Sequence, residues 1–327
     1  MTLAHLRTLL ERHQIVIYLV FIGVGAVLST LWPNIAYLQA ALEPALVFML
    51  CVTFLQVPIH ELRLALQAHR FLGVLLVCNF ILIPLLVWCL LPLLPTEPLL
   101  LTGALLVLLT PCIDYVVTFA HLGRADARVL LVSTPLLLGL QILLLPLYLH
   151  LFLGTAMSSQ LPWAPFLDAF LWLIACPLLL AALFQRLAQR YTAAQKINHC
   201  LGAMPVPATA CVLFLVITTT LAQLQLALEL ALSLIPAYLL FAVLAPTLSW
   251  WLARRCALPT AQARAVAFSG ATRNSLVVLP IGLAISHALP GIAVVIVTQT
   301  LIELLSELVY IRVMPRLHTR TRQGLTD

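Results

Sequence analysis

Two apolar stretches of the chain each carry, at mid-length, a cluster of side chains with chemistry to offer. Residues 100 to 123 hold Thr110, Pro111, Cys112 and Asp114; residues 265 to 287 hold Gly270, Thr272, Arg273, Asn274 and Ser275. A third apolar run, near the C-terminus, places Glu303 and Glu307 one helical turn apart and so on one face. Cys112 offers a soft thiolate, the ligand type that a thiophilic metalloid prefers; the competing reading is a small buried hydrophobe. Asp114 offers a carboxylate for a proton, a cation or a counter-charge, and is equally a structural partner for Arg273. An arginine at the centre of a membrane helix costs about 2.5–3.5 kcal/mol, so Arg273 needs an acid, carbonyls, water or an anion beside it. Glu303 is the deeper acid and a candidate to line a cavity or carry a proton; Glu307 is expected near the helix end, snorkelling or pairing with Arg312. Thr110, Asn274 and Ser275 offer hydroxyl and amide groups, as ligands or as interhelical glue.

Each of these clusters needs an element that can hold it away from lipid. A proline or glycine at mid-span frees backbone groups that only protein or water can satisfy, so both stretches are expected to be broken and packed inward. Paired broken spans at corresponding places of two halves point to the binding site of a secondary transporter.

Composition sets the frame for that expectation. With 63% hydrophobic and 9% charged residues and a mean hydropathy of +1.11, the chain belongs among polytopic membrane proteins and not soluble domains. Spans of about 20 residues fit at 15–32, 37–57, 71–94, the broken 100–123, 129–152, 166–185, 205–225, 230–252, the broken 265–287 and 291–314. The predicted fold is therefore all-α, with ten transmembrane helices as two five-helix repeats, 1–153 and 154–327. An odd number per half inverts the second repeat relative to the first, and helices 4 and 9 are the broken, crossing pair.

Charge tests the count independently. The basic residues fall at the N-terminus (Arg7, Arg12), in alternate loops (Arg63 and Arg70; Arg124 and Arg128; Arg186, Arg190 and Lys196; Arg254, Arg255 and Arg264) and at the C-terminal end from Arg312. The intervening segments 32–37, 92–98, 154–165, 226–229 and 287–290 contain no Lys or Arg. Both termini are accordingly expected in the cytoplasm of a bacterial inner-membrane protein. The net charge of +6 reads as topology, and no nucleic-acid partner is expected. Cys51, Cys78, Cys89, Cys176 and Cys211 lie in apolar runs without metal spacing and are expected to be buried; Cys200 and Cys256 lie in or beside basic loops. No cleavable signal peptide, cofactor or metal is expected. HExxH, GxSxG and P-loop signatures are absent, which argues against an enzyme and against ATP drive.

The motifs resemble the bile acid/arsenite/riboflavin transporter superfamily, and within it the arsenite-efflux permeases. TPCIDYVVTFAHLGRADAR (110–128) is similar to their helix 4, with its cysteine after a proline; TQTLIELLSELVYIRV (298–313) is similar to their last helix, with Glu303 matching an acid; ATRNSLVVL (271–279) occupies the place of their helix 9 motif. The permeases' helix 9 glutamate falls at Leu276. Against the sodium-coupled bile acid branch, Asn274 and Ser275 match ion-site residues, but Arg273 replaces a glutamine and Ser269 a glutamate. The resemblance thus implies the ten-helix fold and speaks against an intact sodium site. It implies efflux of arsenite or antimonite, driven by a proton gradient or membrane potential, with Cys112, Thr110, Asn274 and Ser275 at the substrate and Asp114, Arg273 and Glu303 in coupling. The alternative is a small organic anion with Arg273 as its counter-ion. Lipid is the other expected partner.

Overall fold

A computed structural model of the chain describes residues 3–31, 38–56, 67–113, 115–158, 171–172, 176–226, 228–275, 277–279, 282 and 291–317. Among them every regular element is helical, apart from one isolated bridge. In chain order these are α1 (Leu3–Leu31), α2 (Gln39–Phe54), α3 (His69–Leu93), α4 (Pro98–Leu109), α5 (Tyr115–Leu122) and α6 (Ala127–Ser158). They are followed by α7 (Cys176–Ala188), α8 (Thr192–Leu201), α9 (Pro205–Leu226), α10 (Leu228–Arg255), α11 (Thr260–Ala271) and α12 (Gly291–Val313). Three are each long and apolar enough to cross a bilayer, His69–Leu93, Glu229–Arg255 and Val294–Arg316; five are if the bent pairs within α1 and α6 each count as one. The protein is an all-α, multi-pass membrane protein.

Polarity runs inside out relative to a soluble domain. α1 turns Val16, Val20, Val24 and Val27 outward, and α6 turns out Leu143, Leu147 and Leu151. The interior meanwhile holds Asn79, Thr110, Arg273, Asn274, Glu303 and Glu307. Lipid tails solvate the valine and leucine stripes, and only protein is left to satisfy the polar groups. Cys89 and Cys211, expected to be buried, belong to the outward surface, where a thiol meets lipid as comfortably as it meets a core.

Prolines inside these helices leave carbonyls without the usual N–H four residues on, and at three of them a hydroxyl replaces it. Pro84 orphans the Phe80 carbonyl, which accepts from Tyr148 Oη of α6 at 2.6 Å. Pro135 orphans Leu131, which accepts from Thr134 Oγ1 at 2.7 Å. Pro246 orphans Ala242, which accepts from Tyr310 Oη of α12. Two of the three donors come from another helix, so the kink and the packing are fixed together. Just before Pro84 the sequence expectation of a continuous helix needs correcting: Cys78–Leu82 winds as a π-helix, with Ile83 N–H bonding to the Cys78 carbonyl. This wider turn delivers Asn79 to the interior.

The two expected breaks are present. α4 starts with Pro98 at its first position, capped by Glu97, whose carboxylate accepts from Leu100 N–H at 2.9 Å, and stops at Leu109. α11 stops at Ala271. Helical structure resumes at Tyr115 in the first case and at Ser275 in the second. α4 packs on α12 and α11 on α10. Gly270 lets α11 approach closely, since a Cβ there would collide with Ser249 Oγ of α10.

Candidate functional site at the paired helix breaks

The extended residues of the two breaks lie side by side. Pro111 and Arg273 form an antiparallel bridge, closed by Cys112 N–H to the Thr272 carbonyl at 3.1 Å and Asn274 N–H to the Thr110 carbonyl at 2.9 Å. Each interrupted helix therefore satisfies backbone groups freed in the other, which is what allows non-helical chain at this depth. Thr110 Oγ1 turns back to the Leu106 carbonyl at 2.7 Å, and Thr272 Oγ1 to that of Phe268 at 2.7 Å.

The carbonyl ends of α4 and α11 converge on this bridge, so their orphaned oxygens and dipoles favour a positive charge there. Arg273 supplies it. Its Nη2 donates to the carbonyls of Ser269 (2.5 Å) and Gly270 (2.8 Å) and to Asn79 Oδ1 (3.0 Å), and its Nη1 to the Leu108 carbonyl (3.4 Å). The side chain is fully buried, and its guanidinium lies 5.8 Å from the Phe241 ring centroid. Asn79 is held in turn by donating to Ser269 Oγ (2.9 Å) and to the Leu75 carbonyl (3.1 Å). The expected partner Asp114 lies outside the described residues, as does Leu276. Among the described residues the guanidinium meets neutral oxygens and no carboxylate.

The acid stands on the backbone side of Arg273. Glu303 accepts from Arg273 N–H at 2.8 Å, Gln299 Nε2 at 2.6 Å and Tyr115 Oη at 2.7 Å. Tyr115 Oη also lies 3.0 Å from the Arg273 carbonyl. Glu307 corrects its sequence placement: it is fully buried and 2.6 Å from Thr272 Oγ1, because α12 packs this face inward. Arg312 is exposed and turns to the Leu308 carbonyl instead. Cys112 is fully buried beside the bridge. Asn274 and Ser275 are fully buried too, and among the described residues their side-chain polar atoms have no hydrogen-bond partner.

A cavity of about 630 Å³ opens next to this cluster, within the range of small-molecule sites. Arg7, Arg12, His121 and Arg128 are its basic lining, Tyr18, Val117, Leu131 and Val206 part of its apolar lining, and Ile113 and Tyr115 bring it to the break. Cys112, Asn274 and Ser275 are not among the residues that line it. Sequence reasoning missed Asn79, Tyr115 and Gln299. A lone amide in the apolar run VCNFIL, and an amide one turn before Glu303, were the available signals.

The profile of the Sodium Bile acid symporter family matches residues 43–227, more than half of the chain. The chain belongs to that family. A comparison with curated proteins finds no significant match.

Proposed function

We propose that this member of the Sodium Bile acid symporter family is a secondary transporter for a small organic anion with an apolar body, coupled to protons and not to sodium. The observation that carries the reading is the cavity: arginines and a histidine stand among apolar walls, and Tyr115 joins it to Glu303 and to the backbone of Arg273. An anionic group is attracted by Arg12 and Arg128, while the hydrocarbon part is buried against Leu10, Tyr18 and Val206. Arg273 serves as a tethered cation between the two carbonyl ends, in place of a dissolved one. In this reading the counter-charge for the substrate is the cavity's basic lining, with Arg273 structural.

The second reading, efflux of arsenite or a similar trivalent metalloid, rests on Cys112 lying at the bridge. A thiolate at the crossing of two broken helices is placed where opening of the break would present it to substrate. Either substrate moves in a ten-helix arrangement of two inverted repeats, 1–153 and 154–327, in a bacterial inner membrane with both termini cytoplasmic. One repeat rocks against the other about the breaks.

The test is uptake into proteoliposomes of a radiolabelled bile acid and of radiolabelled arsenite, each in sodium or potassium medium and with or without a pH gradient. Bile acid uptake driven by the pH gradient and indifferent to sodium supports the first reading. Movement of arsenite alone selects the second, and sodium-stimulated uptake rejects proton coupling.

A further inference from the structure

We infer that Glu307 is the proton-binding group of this protein: a neutral carboxyl that donates to Thr272 Oγ1 inside the α11 break. The inference deepens the proton-coupled reading above and rests on it. Thr272 Oγ1 lies 2.6 Å from Glu307 Oε1 and 2.7 Å from the Phe268 carbonyl oxygen. A hydroxyl owns one proton, yet it stands at hydrogen-bonding distance from two acceptors. With Glu307 ionised, Thr272 gives that proton to the carboxylate, and its oxygen then faces the carbonyl across 2.7 Å with nothing between them. With Glu307 neutral, the acid donates to Thr272 and Thr272 donates to Phe268. Each short contact then contains a proton.

Glu303 shows by contrast what a carboxylate's surroundings look like in this interior. A phenol shared with the Arg273 carbonyl reaches one of its oxygens, and two N–H groups, which can only donate, reach the other, the shell that stabilises a negative charge. Glu307 has, among the described residues, one hydrogen-bonded hydroxyl, that of Thr272, and its Oε2 is buried without a partner. Among the described residues the charged and titratable groups about this face are Glu303 and Tyr310 on α12 itself, Arg273 in the α11 break, Cys112 across the bridge from Thr272, Tyr115 on α5 and Tyr238 on α10. Arg273 is one positive charge and Glu303 one negative. A second buried anion would lack a cation among the described residues, whereas the neutral acid avoids that desolvation.

The acceptor for the proton is part of the break itself. Thr272 is the first extended residue after α11 and its carbonyl closes the bridge to Cys112. A rearrangement that parts the two breaks and draws Thr272 off α12 takes away the acid's acceptor, leaving the acid to lose its proton to water. Binding a proton (carboxylate plus H⁺ giving the neutral acid) and closing the bridge are thereby one event.

Infrared difference spectroscopy on the purified full-length chain in liposomes, without substrate, tests this. Near neutral pH the unmodified protein is expected to show the carbonyl stretch of a neutral carboxylic acid, shifted by deuteration and bleached as pH is raised. Glu307→Gln removes that band, Glu303→Gln retains it, and Thr272→Val, which takes away its hydrogen-bond acceptor, moves it to higher frequency. If Glu307→Gln does not fold, Thr272→Val decides alone, and an unmoved band overturns the assignment. A band that persists in Glu307→Gln overturns it as well. So does one that never bleaches while the protein stays folded, since a locked acid is structural. These readouts need no flux, so they can fail while transport is proton-driven, and hold where it is not.

Discussion

Among the described residues the partners of the Arg273 guanidinium are all oxygen acceptors, three backbone carbonyls and the Asn79 amide, the ligand type that also suits a hard cation. Arg273→Gln removes the charge and leaves those oxygens facing one another. Leaving a buried acceptor unsatisfied costs about 1–3 kcal/mol, so with several stranded at once the variant's thermal unfolding midpoint is expected to drop well below that of the unmodified protein. It is also expected to rise with added sodium or potassium, while the unmodified protein does not respond. A variant indifferent to both ions would mean that the ring closes on itself, and would end the tethered-cation reading. Cys112→Ser divides the two substrates at the same scale: it leaves bile acid uptake near the unmodified rate but abolishes arsenite movement, because a hydroxyl is a poor ligand for a soft metalloid. At this scale the sequence reveals residues that are anomalous where they stand. Arg273, Glu303 and the polar cluster after Pro111 are legible because a charge or a break in an apolar run demands a partner. Asn79, Tyr115 and Gln299 are not, since their importance depends on which helix faces them. Glu307 differs in another way: the sequence puts it on the face of Glu303, but its nearness to the helix end suggests snorkelling, whereas the α11 break packs over it and buries it.

Helices in this protein are joined through the carbonyls that their prolines expose. The Pro84, Pro135 and Pro246 sites are each completed by a hydroxyl, and at Pro84 and Pro246 the tyrosine donor ties two helices together. Tyr148→Phe strands the Phe80 carbonyl in a setting without water, a loss of about 1–3 kcal/mol. Pro84→Ala restores a backbone N–H in reach of that carbonyl, so the double variant Pro84→Ala/Tyr148→Phe is expected to be less destabilised than the two single effects added. The check is a double-mutant cycle of thermal unfolding in detergent; strict additivity would mean that the tyrosine packs without capping. The elements themselves were largely readable: α3, α9, α10 and α12 start and stop within about three residues of the apolar runs, α6 runs past its expected end to Ser158, and both breaks follow from Pro111 and Gly270. The π-helical turn at Cys78–Leu82 was not readable. It precedes a proline like many ordinary helical turns, and only the contacts of Asn79 explain why the wider winding is kept.

Across the whole molecule, hydrogen bonds tie the loop segments into two groups. Arg264 Nη1 donates to the Arg124 carbonyl at 3.1 Å, and its Nη2 to the Pro315 and Leu317 carbonyls at 2.9 Å each; Asp126 N–H reaches the Ala261 carbonyl, and Arg70 reaches that of Cys256 at 3.5 Å. Gln56 donates to the Gly202 carbonyl and Gln185 to those of Phe54 and Leu55, so the 56, 185 and 202 regions meet as well. Segments that share hydrogen bonds this short cannot be separated by a bilayer about 30 Å thick. By the positive-inside rule their shared excess of Arg and Lys makes the cytoplasm the expected side, and the cavity, with Arg7, Arg12, Arg128 and Gly202 in its lining, is then expected to open on that face. Two native cysteines make this measurable without engineering, because Cys200 and Cys256 are both exposed. A membrane-impermeant maleimide is expected to label them in inside-out vesicles and to leave them unmodified in intact cells, with Cys200→Ser and Cys256→Ser identifying each adduct. Labelling of Cys256 from outside the cell would put the segments bonded around Arg264 on the wrong face, and labelling of Cys200 would do the same for the 56, 185 and 202 regions and reverse the direction in which the cavity, with Gly202 in its lining, is expected to open.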